Sequence, residues 1–147
     1  MINILPMRDT EKALFRICIL DKLTEAALEH AWKESGITVT NRLRYILSNG
    51  PRTGRVYTIR GRKHQASAPG EAPARLTGKL IQSVDYEVTG HHTLEVGEHV
   101  LEDGPIAGWL EFGTKKMAPR PHLKVAVEQT QSEVMDILQK SIAEAHK

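Results

Sequence analysis

From about Asp9, the chain carries apolar or small residues at Ala13, Ile17, Leu20, Thr24, Ala27 and Ala31, with Leu28 alongside. This three- and four-residue spacing predicts an amphipathic helix, with Lys12, Lys22, Glu25, Glu29 and Lys33 on its opposite side. Asp9 and Thr10 are N-cap types. The stripe fails at Glu34, so Ser35-Gly36 is expected to end or kink the helix. Val39, Leu43, Ile46 and Leu47 predict a second helical stretch over about 39–47, stopped by Asn49-Gly50-Pro51. Near the C-terminus, Leu123, Val127, Thr130, Val134, Ile137, Leu138 and Ile142 draw another stripe, and Pro121 suits the first turn of that helix.

Between these helices the period changes. Arg55 to Arg60 alternates and predicts a short strand. Gly61 to Arg75 reads as a loop of Gly, Ala, Ser and Pro, and loops of that length are usually functional or disordered. Leu76 to Ser83 predicts a short helix or turn. Val84 to Thr89 and Thr93 to Val96 predict two strands joined by a hairpin turn at Gly90-His91-His92. Gly104-Pro105 breaks the chain, and 106–112 suits a short helix. The order argues for an α+β fold: a small antiparallel sheet packed against a long N-terminal helix and a C-terminal helix, with a long projecting loop. With 147 residues, one domain over 1–147 is expected. It divides into an N-terminal arm (1–8), a helical region (9–48), the long loop (61–75) and the C-terminal helix (121–145).

Composition narrows the class. The chain is 40% hydrophobic, enough for a core. No apolar run approaches the roughly 20 residues of a membrane helix, and the first residues lack the layout of a secretion signal. The expectation is an intracellular protein, or one packed into a particle made inside a cell. The single cysteine, Cys18, has no internal disulfide partner and reads as a small core residue.

Charge changes the picture more. Net charge is only +2, yet 35–70 holds seven cations (Arg42, Arg44, Arg52, Arg55, Arg60, Arg62, Lys63) and no acid. Residues 80–114 hold seven acids (Asp85, Glu87, Glu95, Glu98, Glu102, Asp103, Glu111) and no Lys or Arg. Such blocks suit head-to-tail association of copies; pairing within the monomer, or plain solvation, is the competing expectation.

Candidate chemistry is sparse. His91, His92 and His99 have no four-ligand spacing for zinc and read as exposed turn residues. Ser67 and Ser83 lack a nucleophile-elbow setting. Glu102, Asp103 and Glu111 read as solvated acids, with Glu111 also a possible cap or a partner of Lys115 or Arg120. No enzyme, cofactor or metal is expected. Arg52, Arg55, Arg60, Arg62 and Lys63 are candidates for contact with a partner or with DNA phosphates. Arg55 and Arg60 fall on opposite faces of an ideal strand, and Tyr57 is the only aromatic among them, which is thin for base stacking. The Trp109–Pro121 segment is expected to anchor the last helix to the sheet, with Trp109, Leu110 and Phe112 supplying the apolar area.

Two stretches carry a resemblance. The first is Ala66-Ser67-Ala68-Pro69-Gly70-Glu71-Ala72-Pro73, continuing to Leu76-Thr77-Gly78-Lys79-Leu80. The second is Gly108-Trp109-Leu110-Glu111-Phe112-Gly113-Thr114, continuing to Arg120-Pro121-His122-Leu123. In order and together they resemble the tail-completion, or head–tail joining, neck proteins of long-tailed bacteriophages and prophages. The resemblance spans roughly 54–138, with Pro69, Gly70, Thr77, Gly78, Trp109, Glu111, Phe112, Gly113, Thr114, Arg120 and Pro121 as its motif residues. It implies a structural virion protein, assembled in the bacterial cytoplasm, that forms a sixfold or twelvefold ring around the DNA channel. The implied partners are copies of itself, a tail terminator or tail-tube protein, a connector or portal protein, and nearby packaged DNA. No membrane, cofactor or reaction is implied. By this analogy Arg52 to Gly70 projects toward the lumen or a connector. A small nucleic-acid-binding protein, or another neck ring such as a tail terminator or head-side connector, remains the alternative.

Overall fold

The computed structural model describes residues 3–6, 15–18, 25–89, 93–99, 101 and 104–145. Its order is β1 (Asn3–Pro6), β2 (Phe15–Cys18), α1 (Glu25–Asn49), β3 (Val56–Ile59), β4 (Arg62–Gln65), α2 (Lys79–Gln82), β5 (Val84–Thr89), β6 (Thr93–Glu98), α3 (Ile106–Phe112) and α4 (Leu123–Ala145). Four strands form an antiparallel sheet in the order β1-β2-β6-β5, and β3 and β4 form a separate ribbon. The α+β class with helices against a small antiparallel sheet is the class the sequence pattern predicts.

The core explains which face of each element turns inward. Leu94 and Val96 on β6 and Val84 on β5 are buried with Leu28, Ala31, Trp32, Val39, Leu43 and Leu47 of α1. Leu123, Ala126, Val127, Val134 and Leu138 of α4 complete the cluster, following the stripe read from the sequence. Alternation on β6 puts residues 94, 96 and 98 on one face. All three are buried, so the third member of an apolar row is a carboxylate, Glu98.

The N-terminal third departs from its sequence pattern. Phe15–Cys18 is not helical; it pairs with β1 and with β6, placing Ile17 opposite Leu94 and Arg16 opposite Glu95. Four residues are too few to separate a strand from a helical stripe by period alone. Asn3–Pro6 is likewise part of the sheet rather than a free arm. The predicted stretches 9–14 and 19–24, and the turn at 90–92, lie outside the described residues, as does the side chain of Cys18. Helix α1 begins at Glu25 and continues through Ser35-Gly36 without a break, joining the two predicted helical stretches. The reason is packing: a Cβ at Gly36 would sit 2.3 Å from the Tyr86 ring. Glycine there lets β5 lie against the helix, and burial outweighs its propensity cost of about 1 kcal/mol.

Candidate functional site

The ribbon β3–β4 forms a basic projecting arm. Val56 pairs with Gln65, Tyr57 with His64, Thr58 with Lys63 and Ile59 with Arg62. Arg60 and Gly61 make the two-residue turn with φ of 49° and 78°, the doubly positive geometry that matches strand twist. The long loop predicted over 61–75 thus opens with a four-residue strand, β4. Arg-Lys-His-Gln shows no apolar alternation because neither face of the ribbon packs on the core. Residues 55–63 are all exposed, including the apolar Val56, Tyr57 and Ile59. By alternation Arg55, Tyr57, Ile59, Arg62 and His64 share one face, and Val56, Thr58, Lys63 and Gln65 the other. The Arg55 guanidinium lies over the Tyr57 ring, 5.5 Å from its centre. Arg52 is exposed at the base. Arg42 and Arg44 belong instead to α1, bonded to Gln129 and to the Val84 carbonyl.

The two stretches singled out in the sequence meet at the base of this arm. Ala68-Pro69-Gly70-Glu71 is a turn closed by the Glu71 N–H donating to the Ala68 carbonyl at 3.1 Å. Gly70 has φ 84°, which the second corner of a type II turn requires. The Glu71 carboxylate then accepts from the Ala68 N–H (2.8 Å), the Thr53 N–H (3.2 Å) and the Thr53 hydroxyl. It ties the chain before the arm to the chain after it. Those bonds, the Thr53 hydroxyl foremost, hold the Glu71 carboxyl below the usual range. From the second stretch, Arg120 Nε donates to Ser67 Oγ at 3.0 Å, and the Gly70 N–H donates to the Pro119 carbonyl at 3.0 Å. Gly113 (φ 75°) makes the approach possible, since a Cβ there would stand 2.8 Å from the Met117 carbonyl oxygen.

Behind this clamp lies a buried charge cluster. His122 is fully buried between two carboxylates: Nε2 is 2.9 Å from Glu98 Oε1, and Nδ1 is 3.0 Å from Glu111 Oε2. Nδ1 also lies 2.9 Å from the Arg120 carbonyl, so it carries a proton. The Glu98 contact is short but off the N–H direction, so neither Nε2 nor the Glu98 oxygens has an aligned hydrogen bond. Burial pushes the imidazole toward neutrality, but Glu98, Glu111 and the Arg120 carbonyl outweigh it and raise the His122 pKa. Glu111 also accepts from the N–H groups of His122, Leu123 and Lys124 at 2.8–3.0 Å. It satisfies the orphan donors of α4 from a different helix.

Several expectations for these residues change. Glu111 is a buried cap paired with His122, not a solvated acid and not a partner of Lys115 or Arg120. Trp109 and Phe112 are 46% and 58% exposed, so they do not anchor α4; Glu111 does, while Trp109 lies over Gly104. Thr77 accepts from the Lys79 N–H, and Gly78 (φ 87°) starts α2. Thr114 closes a small turn with Met117, and Pro121 precedes α4. His122 and Glu98 were not singled out as a pair. They are 24 positions apart, and the one signal was the Leu94-x-Val96-x-Glu98 row, which puts a carboxylate on the buried face.

Two surfaces complete the site. A mainly apolar groove of about 390 Å³ runs between the stretches, past Leu47, Leu80, Ile81, Ile106, Leu110 and Met117. On the sheet face turned away from the helices, exposed Asp85 and Glu87 stand beside Glu95. Among the described residues no ion pair joins the basic and acidic blocks within the monomer. No helix among them is long and apolar enough to cross a membrane. Compared with known family models, curated proteins and solved structures, the chain matches none.

Proposed function

We propose that this chain is a structural adaptor of a phage neck: a tail-completion or head–tail joining protein. In this reading it forms a ring at the head-proximal end of the tail, around the DNA channel, and works without cofactor or reaction. It acts by contact, with copies of itself, with a tail terminator or tail-tube protein and with a connector or portal protein. Its place is the virion neck, reached by assembly in the bacterial cytoplasm.

The observation that carries the reading is the arm and its clamp. The two stretches that resemble the neck family are far apart in sequence, yet both are spent on fixing one exposed basic hairpin to the body through Ser67, Gly70, Glu71, Pro119 and Arg120. A solvated loop does not call for so many bonds at its base. An adaptor does, because a projecting contact must hold its direction before its partner arrives.

Electron microscopy of the protein, alone and mixed with tails lacking it, tests the proposal. Rings, or density capping the tail end, support it and give the copy number. Reversing Arg60, Arg62 and Lys63 to Glu is expected to leave the fold intact and stop infectious particle formation; normal particle yield would remove the arm from the mechanism. The Arg55–Tyr57 stack keeps a nucleic-acid reading in play. A protein that ignores tails but retards DNA, with affinity falling steeply as salt rises, would favour that reading instead.

A further inference from the structure

The arm exposes two kinds of unmet demand. Val56, Tyr57 and Ile59 are large apolar side chains in solvent. Arg60, Arg62 and Lys63 at its tip have no ion-pair or hydrogen-bond partner among the described residues. A two-stranded ribbon is marginal alone and open on both edges. Each of its faces carries both apolar and basic residues: Tyr57 and Ile59 with Arg55 and Arg62 on one, Val56 with Lys63 on the other. That mixture suits a protein surface better than a phosphate backbone, which a one-sided row of cations would serve.

The chain itself offers the complement. Strand β5 is the edge of the four-stranded sheet, and Asp85 and Glu87 project from it on the face away from the helices. Bonds from the Tyr86 N–H and from His99 hold the Asp85 carboxyl below its usual range, with Arg44 adding to the effect, so it stays charged at neutral pH. A shallow hollow of about 150 Å³ lies there, bordered by Asp85, Glu87, Glu95, Gly97 and His99. Glu95 stands between Glu87 and Arg16 in the register and is not needed as an acceptor.

We infer that the hairpin of one copy docks on the β5 edge and outer sheet face of the next, with Arg60, Arg62 and Lys63 set against Asp85 and Glu87. The donor and acceptor patches differ, so the contact is heterologous and propagates head to tail, closing as a ring when the rotation allows. The inference takes its ring geometry from the neck reading, but the contact itself is testable without tails.

Two variants decide it: R60E/R62E/K63E reverses the arm, and D85K/E87K reverses the face. Sedimentation velocity at low ionic strength is expected to show concentration-dependent association of the native chain and monomers for each variant alone. An equimolar mixture of the two variants is expected to associate again, because the acidic arm of one meets the basic face of the other. Native chain that stays monomeric, variants that still associate, or a mixture that stays monomeric would each overturn the contact. Loss of DNA retention by the arm variant without loss of self-association would overturn it too, in favour of nucleic acid. Melting curves check folding; if either variant unfolds, R60Q/R62Q/K63Q and D85N/E87N replace them, each expected to weaken association about tenfold or more, roughly the 1.4 kcal/mol that a factor of ten represents. Unchanged association in the neutral pair would overturn the proposal. Density capping tails together with a failed mixture would leave the neck reading standing and remove this contact; a restored mixture that ignores tails would do the reverse.

Discussion

His122 shows how one side chain ties the motif segments to the core. Its ring is buried, yet both nitrogens face acceptors, and its pKa is raised in the fold. The sign follows from that direction. The stabilisation is fully present below the ordinary histidine value of about 6.5, and it is lost as pH rises through the higher folded value. Above it, two buried carboxylates lose their cation. We therefore expect the melting temperature to fall on the alkaline side of neutrality, and Glu98→Gln to flatten that fall. Glu98→Gln should also destabilise the protein near pH 6 by about 3 kcal/mol, the low end for breaking a buried pair. Melts from pH 6 to 9 check both; an unchanged slope in the variant would mean that another group sets it. Glu71 titrates in the opposite sense. Its folded pKa is lowered, so its clamp is present above the ordinary carboxylate value and lost as pH falls through the folded one. Amide exchange at Thr53 and Ala68 is expected to quicken there, and to be fast at neutral pH in Glu71→Ala.

At the scale of elements, the sequence was most legible where a stripe met the core. The α4 stripe and the β5 limits are as their pattern predicts, because buried rows impose a period; β6 runs two residues past the predicted Val96, to the buried Glu98, and α3 follows the Gly104-Pro105 break. The misses have physical causes. Phe15–Cys18 reads equally as part of a helical stripe, β4 has no buried face to mark it, and Gly36 signals a break that Tyr86 turns into a packing site. The candidate site was half legible: Gly70, Gly113, Pro69 and Arg120 stand out as motif residues, but the clamp they form depends on contacts 53 residues apart in sequence. Gly36→Ala tests the strongest of these overrides. Alanine is the better helix former by about 1 kcal/mol, yet its Cβ would press into the Tyr86 ring. Overpacking at such a site costs about 1–3 kcal/mol. The expected net effect is destabilisation, reversed to a gain when Gly36→Ala is measured in a Tyr86→Ala background. A gain in the native background would show that β5 can move away from α1.

At the scale of the whole molecule, the distribution of large apolar side chains separates what holds the fold from what is left for partners. Trp32 is 2% exposed inside the α1–α4 core, while Trp109, Phe112 and Leu76 stand in solvent. The two tryptophans therefore report on different things. In the free protein, acrylamide is expected to quench Trp109 and spare Trp32, and Trp109→Phe should leave only the protected emission. Phe112→Ser should change stability by no more than about 0.5 kcal/mol, as for an ordinary surface site. Leu123→Ala, in the closed core, should cost about 2–5 kcal/mol. If the proposed adaptor role holds and α3 is part of the surface that seats on a tail or connector, Trp109 becomes protected on docking and Phe112→Ser lowers particle yield without lowering the melting temperature. Protection of Trp109 needs apolar area to be covered, which charge steering by the arm alone does not provide. Quenching that stays the same on docking would confine the contact to the arm and the sheet face, and would leave the α3 face to solvent.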